Sequence, residues 1–255
     1  MDIQLQDTNL NLLIIIVTLV IFSWRTIVGA KQYQQLKLET QTGPRQKIMA
    51  SWAIEVFVLF ALGAVLILSL IGRLPTIVAM PAEFTPLVSF YPDEQERKFV
   101  GFAIAGGLLM GAFGNVLVTY LKRNANPDDT ENQYRTAGDF SALLPRNRPE
   151  TIWAIVLSFS AGISEELMFR LALPLLLTLL IGNAWIGFLL SITIFGLMHY
   201  YQGWQGVLAT TFAALLFSVV YLYTGSLLIP IVMHIFMDLN GLVFVPMANR
   251  KSSSH

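Results

Sequence analysis

The sequence contains no cysteine, and this absence excludes several kinds of chemistry. Disulfide bonds, a thiolate nucleophile and zinc sites built from thiolates all require that residue. Charged residues are also scarce, at 13% of the 255 residues, and 16 basic side chains are balanced by 16 acidic ones. A formal net charge of zero gives no reason to expect nucleic acid as a partner. Only three histidines are present, so a site that uses imidazole has few candidates.

Long apolar runs dominate the rest of the chain. Hydrophobic residues make up 55% of it, and several runs reach the ~20 residues that a helix needs to cross a bilayer. We therefore predict an all-α, polytopic transmembrane helical bundle of about seven spans, an integral membrane protein whose surroundings are the lipid bilayer. The predicted spans are Asn9–Ala30, Trp52–Gly72, Val100–Leu121, Thr151–Ile181, Trp185–Tyr200, Gly206–Tyr223 and Leu227–Met247.

Basic residues in the loops predict the orientation of these spans. The loops 31–47 and 122–150 are rich in lysine and arginine, and such loops stay in the cytoplasm. The N-terminus then lies outside, and seven spans leave Arg250 and Lys251 inside. An eighth span would arise if the segment 151–181 were two helices, and it would put those two charges outside. The first apolar run is long enough to remain as a span, so we expect no removed signal peptide.

The segment 162–170 is the most unusual stretch, because it puts two glutamates and an arginine inside a predicted span. Each charge costs roughly 2.5–3.5 kcal/mol at the bilayer centre, so the three need a reason to be there. Glu166 and Arg170 are four residues apart and share a helix face, with the acid in the favoured N-terminal position for an ion pair. Glu165 is rotated by about 100° from Glu166 and is left without that partner. It is therefore a candidate general base.

Two of the three histidines lie in later predicted spans. Phe195 precedes His199 by one helical turn and walls the same helix face, and His234 precedes Asp238 by one turn. His255 lies in the serine-rich end of the chain and is not a candidate. Each residue alone has an ordinary explanation as a packing residue or a hydrogen-bonded clamp. Ionisable groups inside a membrane are functional candidates, however, and here they occur together on three spans.

Three further polar residues receive a structural interpretation. Arg25 and Glu55 fall at similar depth in the first two spans, so we expect them to pair across adjacent helices and to lie outside the site. Ser164 could act as a nucleophile if a histidine served as its base. A serine beside glycine in a span is more often a packing residue, and we favour that interpretation.

Three short motifs follow one another in the hydrophobic runs: Glu165-Glu166-x-x-x-Arg170, Phe195-x-x-x-His199 and His234-x-x-x-Asp238. In this order they resemble the CPBP family, the CAAX proteases and bacteriocin-processing enzymes that are also called the Abi family. The resemblance covers about residues 149–247. It suggests a catalytic helical core at 149–247, preceded by the first three spans and their polar loops at 1–148. A short polar tail follows at 248–255.

The resemblance implies an intramembrane endopeptidase that activates water with a glutamate and uses no metal or other cofactor. Glu165 matches the catalytic glutamate and His199 its partner, and together they would activate a water molecule. His234 and Asp238 match the pair that would stabilise the oxyanion. The positions that support these groups are Glu166, Arg170 and Phe195.

The same resemblance bears on substrate and location. It implies a membrane-embedded or lipidated substrate, including proteins with prenylated C-terminal CaaX tails. The expected location is the cytoplasmic membrane of a bacterium, and the oligomeric state is left open.

One position departs from the family pattern, because Asp238 stands where asparagine is common. An ionised aspartate cannot donate a hydrogen bond to an oxyanion, so either Asp238 is protonated or it orients His234 as an imidazolium. The residues also leave other functions open. Glu165, His199 and His234 could be the ligands of a zinc-dependent metalloprotease. The same groups could carry charge in a transporter or proton relay, or the chain could be a non-catalytic membrane scaffold.

Overall fold

A computed structural model describes residues 2–91, 93–125 and 139–249. These residues are largely helical and include no strand, which confirms the all-α architecture. The helices are α1 (Asp2–Leu38), α2 (Thr42–Val56), α3 (Gly63–Leu70), α4 (Glu94–Ala125), α5 (Arg148–Glu166), α6 (Leu173–Ile181), α7 (Ala184–Met198), α8 (Gly203–Thr224), α9 (Leu228–Leu239) and α10 (Val245–Asn249). Segments of π-helix join α2 to α3, α5 to α6 and α9 to α10, at Phe57–Leu62, Leu167–Ala172 and Asn240–Phe244. Short 3₁₀ turns occupy Leu74–Ile77, Ala82–Leu87, Ser141–Leu143 and Tyr200–Gln202.

Helical segments of spanning length confirm an integral membrane protein. By length and composition, the segments able to cross a bilayer are Thr8–Leu38, Thr42–Leu70, Glu94–Leu121, Tyr200–Thr224 and Leu228–Ala248. The other two predicted spans correspond to α7, which has 15 residues, and to the helix 148–181, which carries the charged motif. Because the segment 148–181 is helical without a turn, it is not divided into two separate helices. The number of crossings and their orientation stay predictions, and Arg250 and Lys251 lie outside the described residues.

The connections on the N-terminal side are shorter than the hydropathy pattern predicts. The expected loop 31–47 is wrong for most of its length, because α1 continues to Leu38 and α2 begins at Thr42. Residues 31–38 are lysine, glutamine, leucine and one tyrosine, most of which favour a helix. The helix therefore extends beyond the apolar run, and hydropathy alone misses its end.

Helix α5 begins at Arg148 and is capped by Asn147. The side chain of Asn147 accepts a hydrogen bond from the backbone N–H of Glu150 at 3.0 Å, and Pro149 occupies the first turn. The Glu150 side chain turns inward and pairs with Arg45 of α2, with Nε and Oε2 3.1 Å apart. Both side chains are buried. This pair ties the N-terminal helices to the helix that carries the charged motif.

Helix α5 packs between α2 and α9. The approach to α9 is close at Gly162, because a Cβ there would come within 3.0 Å of the Ile235 backbone nitrogen and 2.5 Å of its side chain. A larger residue would push the two helices apart. Gly162 lies one turn before Glu166, and Ile235 follows His234. The missing side chain thus allows the acid and the histidine to meet.

The helix widens directly after the two glutamates. Residues Leu167–Ala172 form a π-helix whose side chains are all buried, and such segments are frequent at functional sites. The backbone carbonyl of Phe169 accepts a hydrogen bond from the Ser191 hydroxyl of α7 at 2.8 Å. Pro174 follows and has no N–H for the carbonyl of Arg170, which favours a change of helical register here. The change of register therefore occurs as a π segment just before this proline.

Candidate active site

Glu166 and Arg170 form the ion pair that their spacing predicts. Arg170 Nη2 donates to Glu166 Oε1 at 3.1 Å. Arg170 Nε lies 3.0 Å from Oε2, but out of line for a hydrogen bond. The guanidinium also lies over the ring of Phe195, 5.0 Å from its centroid, and 5.7 Å from that of Phe217. An acid and two aromatic rings thus hold a fully buried arginine in one position.

His234 shares the same acid. Its Nδ1 lies 2.7 Å from Glu166 Oε1, so this oxygen is within hydrogen-bond distance of both Arg170 and His234. A carboxylate oxygen only accepts, so Nδ1 carries a proton and donates it. The other nitrogen, Nε2, lies 3.8 Å from Glu165 Oε2 and 3.8 Å from Asp238 Oδ1. These two distances exceed a direct hydrogen bond.

His199 ends α7 and reaches the site from another direction. Its Nδ1 lies 2.9 Å from the backbone carbonyl of Phe195, which can only accept, so Nδ1 is the donor. In the neutral ring Nε2 is then a hydrogen-bond acceptor. The ring centroid lies 4.6 Å from that of Phe195 and 5.9 Å from that of Tyr201. The contact of Phe195 with His199, predicted from their spacing, is confirmed.

A cavity of about 390 Å³ brings these groups together. Its wall includes four of the residues that the motifs singled out as catalytic, namely Glu165, His199, His234 and Asp238. Glu166 and Arg170 are buried next to these residues but do not line the cavity. No hydrogen bond or ion pair joins Glu165 to His199 in the part of the chain that the structure describes. The imidazole in contact with Glu165 is that of His234.

Three of these residues differ in the exposed fraction of their side chains. The side chains of Glu165 and His234 are each 10% exposed, whereas that of Asp238 is 32% exposed. No group of three or more histidine, aspartate or glutamate side chains within the described ranges is arranged to hold a metal ion.

The structural interpretation of Ser164 agrees with its contacts. Its hydroxyl donates to the backbone carbonyl of Ser160 at 2.7 Å, and the residue is fully buried. It does not line the cavity. The serine therefore packs within its own helix.

The prediction for Arg25 and Glu55 is confirmed in one part and wrong in another. They pair across α1 and α2, with Arg25 Nε 3.7 Å from Glu55 Oε2. Arg25 also lines the cavity, so the expectation that it lies outside the site is wrong. Depth along two spans predicts that two residues can meet, but it does not reveal what else one of them faces.

Several residues of the cavity wall come from outside the three motifs. Helices α1 and α2, the π segment after α2 and the turn before α8 contribute Arg25, Thr26, Gly29, Trp52, Val56, Phe60, Tyr201 and Gln202. Most of these side chains have no local pattern that marks them, since they meet the motif helices only in the folded chain. The one available signal was an arginine inside an apolar run.

Comparison with known families agrees with this geometry. The family model described as type II CAAX prenyl endopeptidase Rce1-like matches residues 147–240. That range includes all three motifs and begins at the residue that caps α5. Neither the comparison with curated proteins nor that with solved structures gave a significant match.

The family match and the apolar helices together support an integral membrane peptidase. Residues 147–240 therefore match the CAAX protease family.

Proposed function

We propose that the protein is a glutamate-dependent intramembrane endopeptidase that hydrolyses a peptide bond near the C-terminus of a prenylated protein without a metal ion. The observation that carries the proposal is that Glu165, His199 and His234, from three helical segments, line one cavity. A buried acid–arginine pair behind the wall adds support, because it fixes the ring of His234.

Glu165 is the proposed general base. Its carboxylate lines the cavity, and His199, whose Nδ1 is bonded to Phe195, has Nε2 available as a second acceptor. A water molecule that donates one O–H to each of them turns a lone pair toward a peptide carbonyl. As the water oxygen attacks the carbonyl carbon, Glu165 takes its proton. Glu165 then passes that proton to the nitrogen of the departing amine.

His234 is the proposed stabiliser of the negative charge that forms on the carbonyl oxygen. With Nδ1–H donated to Glu166, the ring can donate through Nε2 only as the imidazolium. The carboxylates of Glu165, Glu166 and Asp238 lie within 3.8 Å of its nitrogens and are counter-ions for that state. Of the two roles left open for Asp238, its place beside Nε2 favours that of orienting His234. Stabilisation of such an oxyanion is a major part of acyl-transfer catalysis.

The proposed substrate combines a peptide with a lipid, and the cavity wall has both kinds of surface. Polar groups are concentrated at the catalytic candidates and at Arg25. The apolar part of the wall on α8, on α9 and in the π segment after α9 includes Ala209, Ala213, Phe217, Met237 and Leu242. A prenylated cysteine suits the apolar part, while the peptide beyond it reaches the polar groups.

Cleavage of a farnesylated peptide that ends in a CaaX tetrapeptide tests this function. The protein is purified into lipid nanodiscs, and release of the C-terminal tripeptide is followed by mass spectrometry. Glu165→Gln keeps the size of the side chain but removes the base, and the rate should fall by about 10²–10⁴-fold. Glu83→Gln, in the partly exposed pair with Arg73, is the matched control and should keep the wild-type rate. Wild-type activity in the Glu165→Gln protein would contradict the proposal.

Metal independence is tested on the same reaction. Incubation with a strong chelator should leave the rate unchanged. A loss that added zinc restores would favour the metalloprotease alternative over glutamate catalysis alone.

Loss of ion flux in Glu165→Gln, without any peptide cleavage by the wild type, would favour a transporter.

A further inference from the structure

Arg25 is a basic group in the wall of the cavity, and the water chemistry proposed above does not use it. It belongs to α1, which lies outside the segment 147–240 that matches the family model. Its side chain is only 7% exposed, yet it lines the same cavity as Glu165. A buried charge is costly unless it is paired and hydrogen-bonded, so the quality of its contacts matters.

The contacts that hold Arg25 are long. Its Nε is 3.7 Å from Glu55 Oε2 and makes no hydrogen bond to any residue that the structure describes. Its Nη1 reaches Gln32 Oε1 only at 3.4 Å. Glu55 is engaged more closely by Gln32 Nε2, at 3.1 Å. Arg25 therefore has a counter-charge nearby but keeps donor capacity for an incoming acceptor.

A series of ring contacts runs from Arg25 to His199. Its guanidinium lies 5.5 Å from the Trp52 ring, Trp52 lies 5.5 Å from Tyr201, and Tyr201 lies 5.9 Å from His199. All three aromatic or imidazole rings line the cavity. Arg25 is thus separated from His199 by two aromatic rings. An extended tripeptide spans about 10 Å, comparable to two successive contacts of this series.

Charges of both signs line this wall. Glu165 and Asp238 contribute carboxylates, and Arg25 contributes a guanidinium. An anionic group on the substrate is repelled by the two carboxylates and attracted by the guanidinium. A guanidinium also presents paired N–H groups that match the two oxygens of a carboxylate.

We propose that Arg25 binds the C-terminal carboxylate of the substrate. This inference rests on the proposed function and deepens it, because it names the substrate group that sets the cleavage position. With the chain end held at Arg25, the peptide bond presented to Glu165 is the one about three residues away. The enzyme then selects free chain ends and rejects internal peptide bonds.

Two peptides that differ only at the chain end test the inference. One farnesylated peptide has a free C-terminal carboxylate, and the other has a C-terminal amide. For the wild type, amidation should lower kcat/KM by about tenfold to hundredfold, the range for losing a charge-assisted hydrogen bond. In Arg25→Gln, the rate on the free acid should fall to that on the amide, so amidation should change it by less than about twofold.

A buried arginine elsewhere provides the matched control. Arg97 is 8% exposed, donates to the backbone carbonyl of Leu222 at 2.8 Å, and does not line the cavity. Arg97→Gln should keep the wild-type preference for the free acid. Equal cleavage of acid and amide by the wild type, or full preference in Arg25→Gln, would overturn the carboxylate site alone. If the wild type cleaves neither peptide, the proposed function fails and the carboxylate site with it.

Two further variants decide the matter if Arg25→Gln does not fold. Arg25→Lys keeps the charge and should retain a reduced preference for the free acid. Glu55→Gln removes the carboxylate that competes for Arg25 and should raise the acid-to-amide ratio above that of the wild type. Ratios that stay at the wild-type value in both variants would overturn the proposal.

Discussion

Two buried arginine–glutamate pairs in this molecule differ in how completely they are hydrogen-bonded. In the pair of Arg45 with Glu150, all three guanidinium nitrogens donate. Nε donates to Glu150 Oε2 at 3.1 Å, Nη1 to the carbonyl of Leu36 at 2.7 Å, and Nη2 to the carbonyl of Ala142 at 2.8 Å. The acid is also engaged on both oxygens. This pair is closed, because every guanidinium nitrogen and both carboxylate oxygens have a hydrogen-bond partner.

The pair of Arg170 with Glu166 is open by comparison. Arg170 Nη1 has no hydrogen-bond partner among the described residues, and Nε is misaligned with the acid. Glu166 divides Oε1 between Arg170 and His234. Buried polar groups in proteins are nearly always satisfied, and exceptions call for an explanation. The explanation here is that Glu166 positions an imidazole of the proposed active site, whereas Glu150 only joins two parts of the fold.

The largest effect on stability should come from opening the closed pair. Glu150→Gln leaves Arg45 as an uncompensated buried charge, which costs about 3–5 kcal/mol in the free energy of unfolding. Denaturant unfolding in detergent measures this loss. The folded fraction should still cleave peptide at close to the wild-type rate. A normal unfolding curve with lost cleavage would contradict the assignment of this pair to structure.

A change in the open pair should reduce catalysis more than stability. Glu166→Gln weakens the hold on His234, and a misplaced catalytic group can reduce turnover about hundredfold. We expect kcat to fall while KM stays near its wild-type value, because Glu166 itself does not line the cavity. Arg170 keeps its contacts with the rings of Phe195 and Phe217, so the free energy of unfolding should fall by less than in Glu150→Gln. Equal behaviour of the two variants in both measurements would remove the distinction between the pairs.

These pairs also mark the limit of what the sequence could predict. Glu166 and Arg170 are four residues apart, so helix geometry alone brings them together. Arg45 and Glu150 are separated by 105 positions, and no local pattern connects them. Arg25 shows the same limit, since its pairing with Glu55 followed from depth but its place in the cavity did not. The helices and the three motifs were predictable because they depend on periodicity, whereas the shared cavity depends on tertiary packing.

A third ion pair is exposed to solvent and contributes less to stability than the two buried pairs. Lys37 Nζ lies 2.7 Å from Asp139 Oδ2, with side chains 48% and 45% exposed. Hydrogen bonds from Lys37 and Ser141 lower the pKa of Asp139 from 3.8 to about 2. A carboxyl group whose pKa is lower in the folded state stabilises the fold above its ordinary pKa. That stability is lost as the pH falls through the folded value. Solvent screens so exposed a pair, so its contribution stays below about 1 kcal/mol.

Lys37→Gln should therefore have the smallest effect of the three variants, and a dependence on pH that the buried pairs need not share. At neutral pH the free energy of unfolding should fall by less than about 1 kcal/mol. The difference from the wild type should shrink as the pH falls from about 4 toward 2, because Asp139 becomes protonated in both proteins. Denaturant unfolding at several pH values measures it. A difference that persists at the lowest pH would mean that Lys37 stabilises α1 by some contact other than this carboxylate.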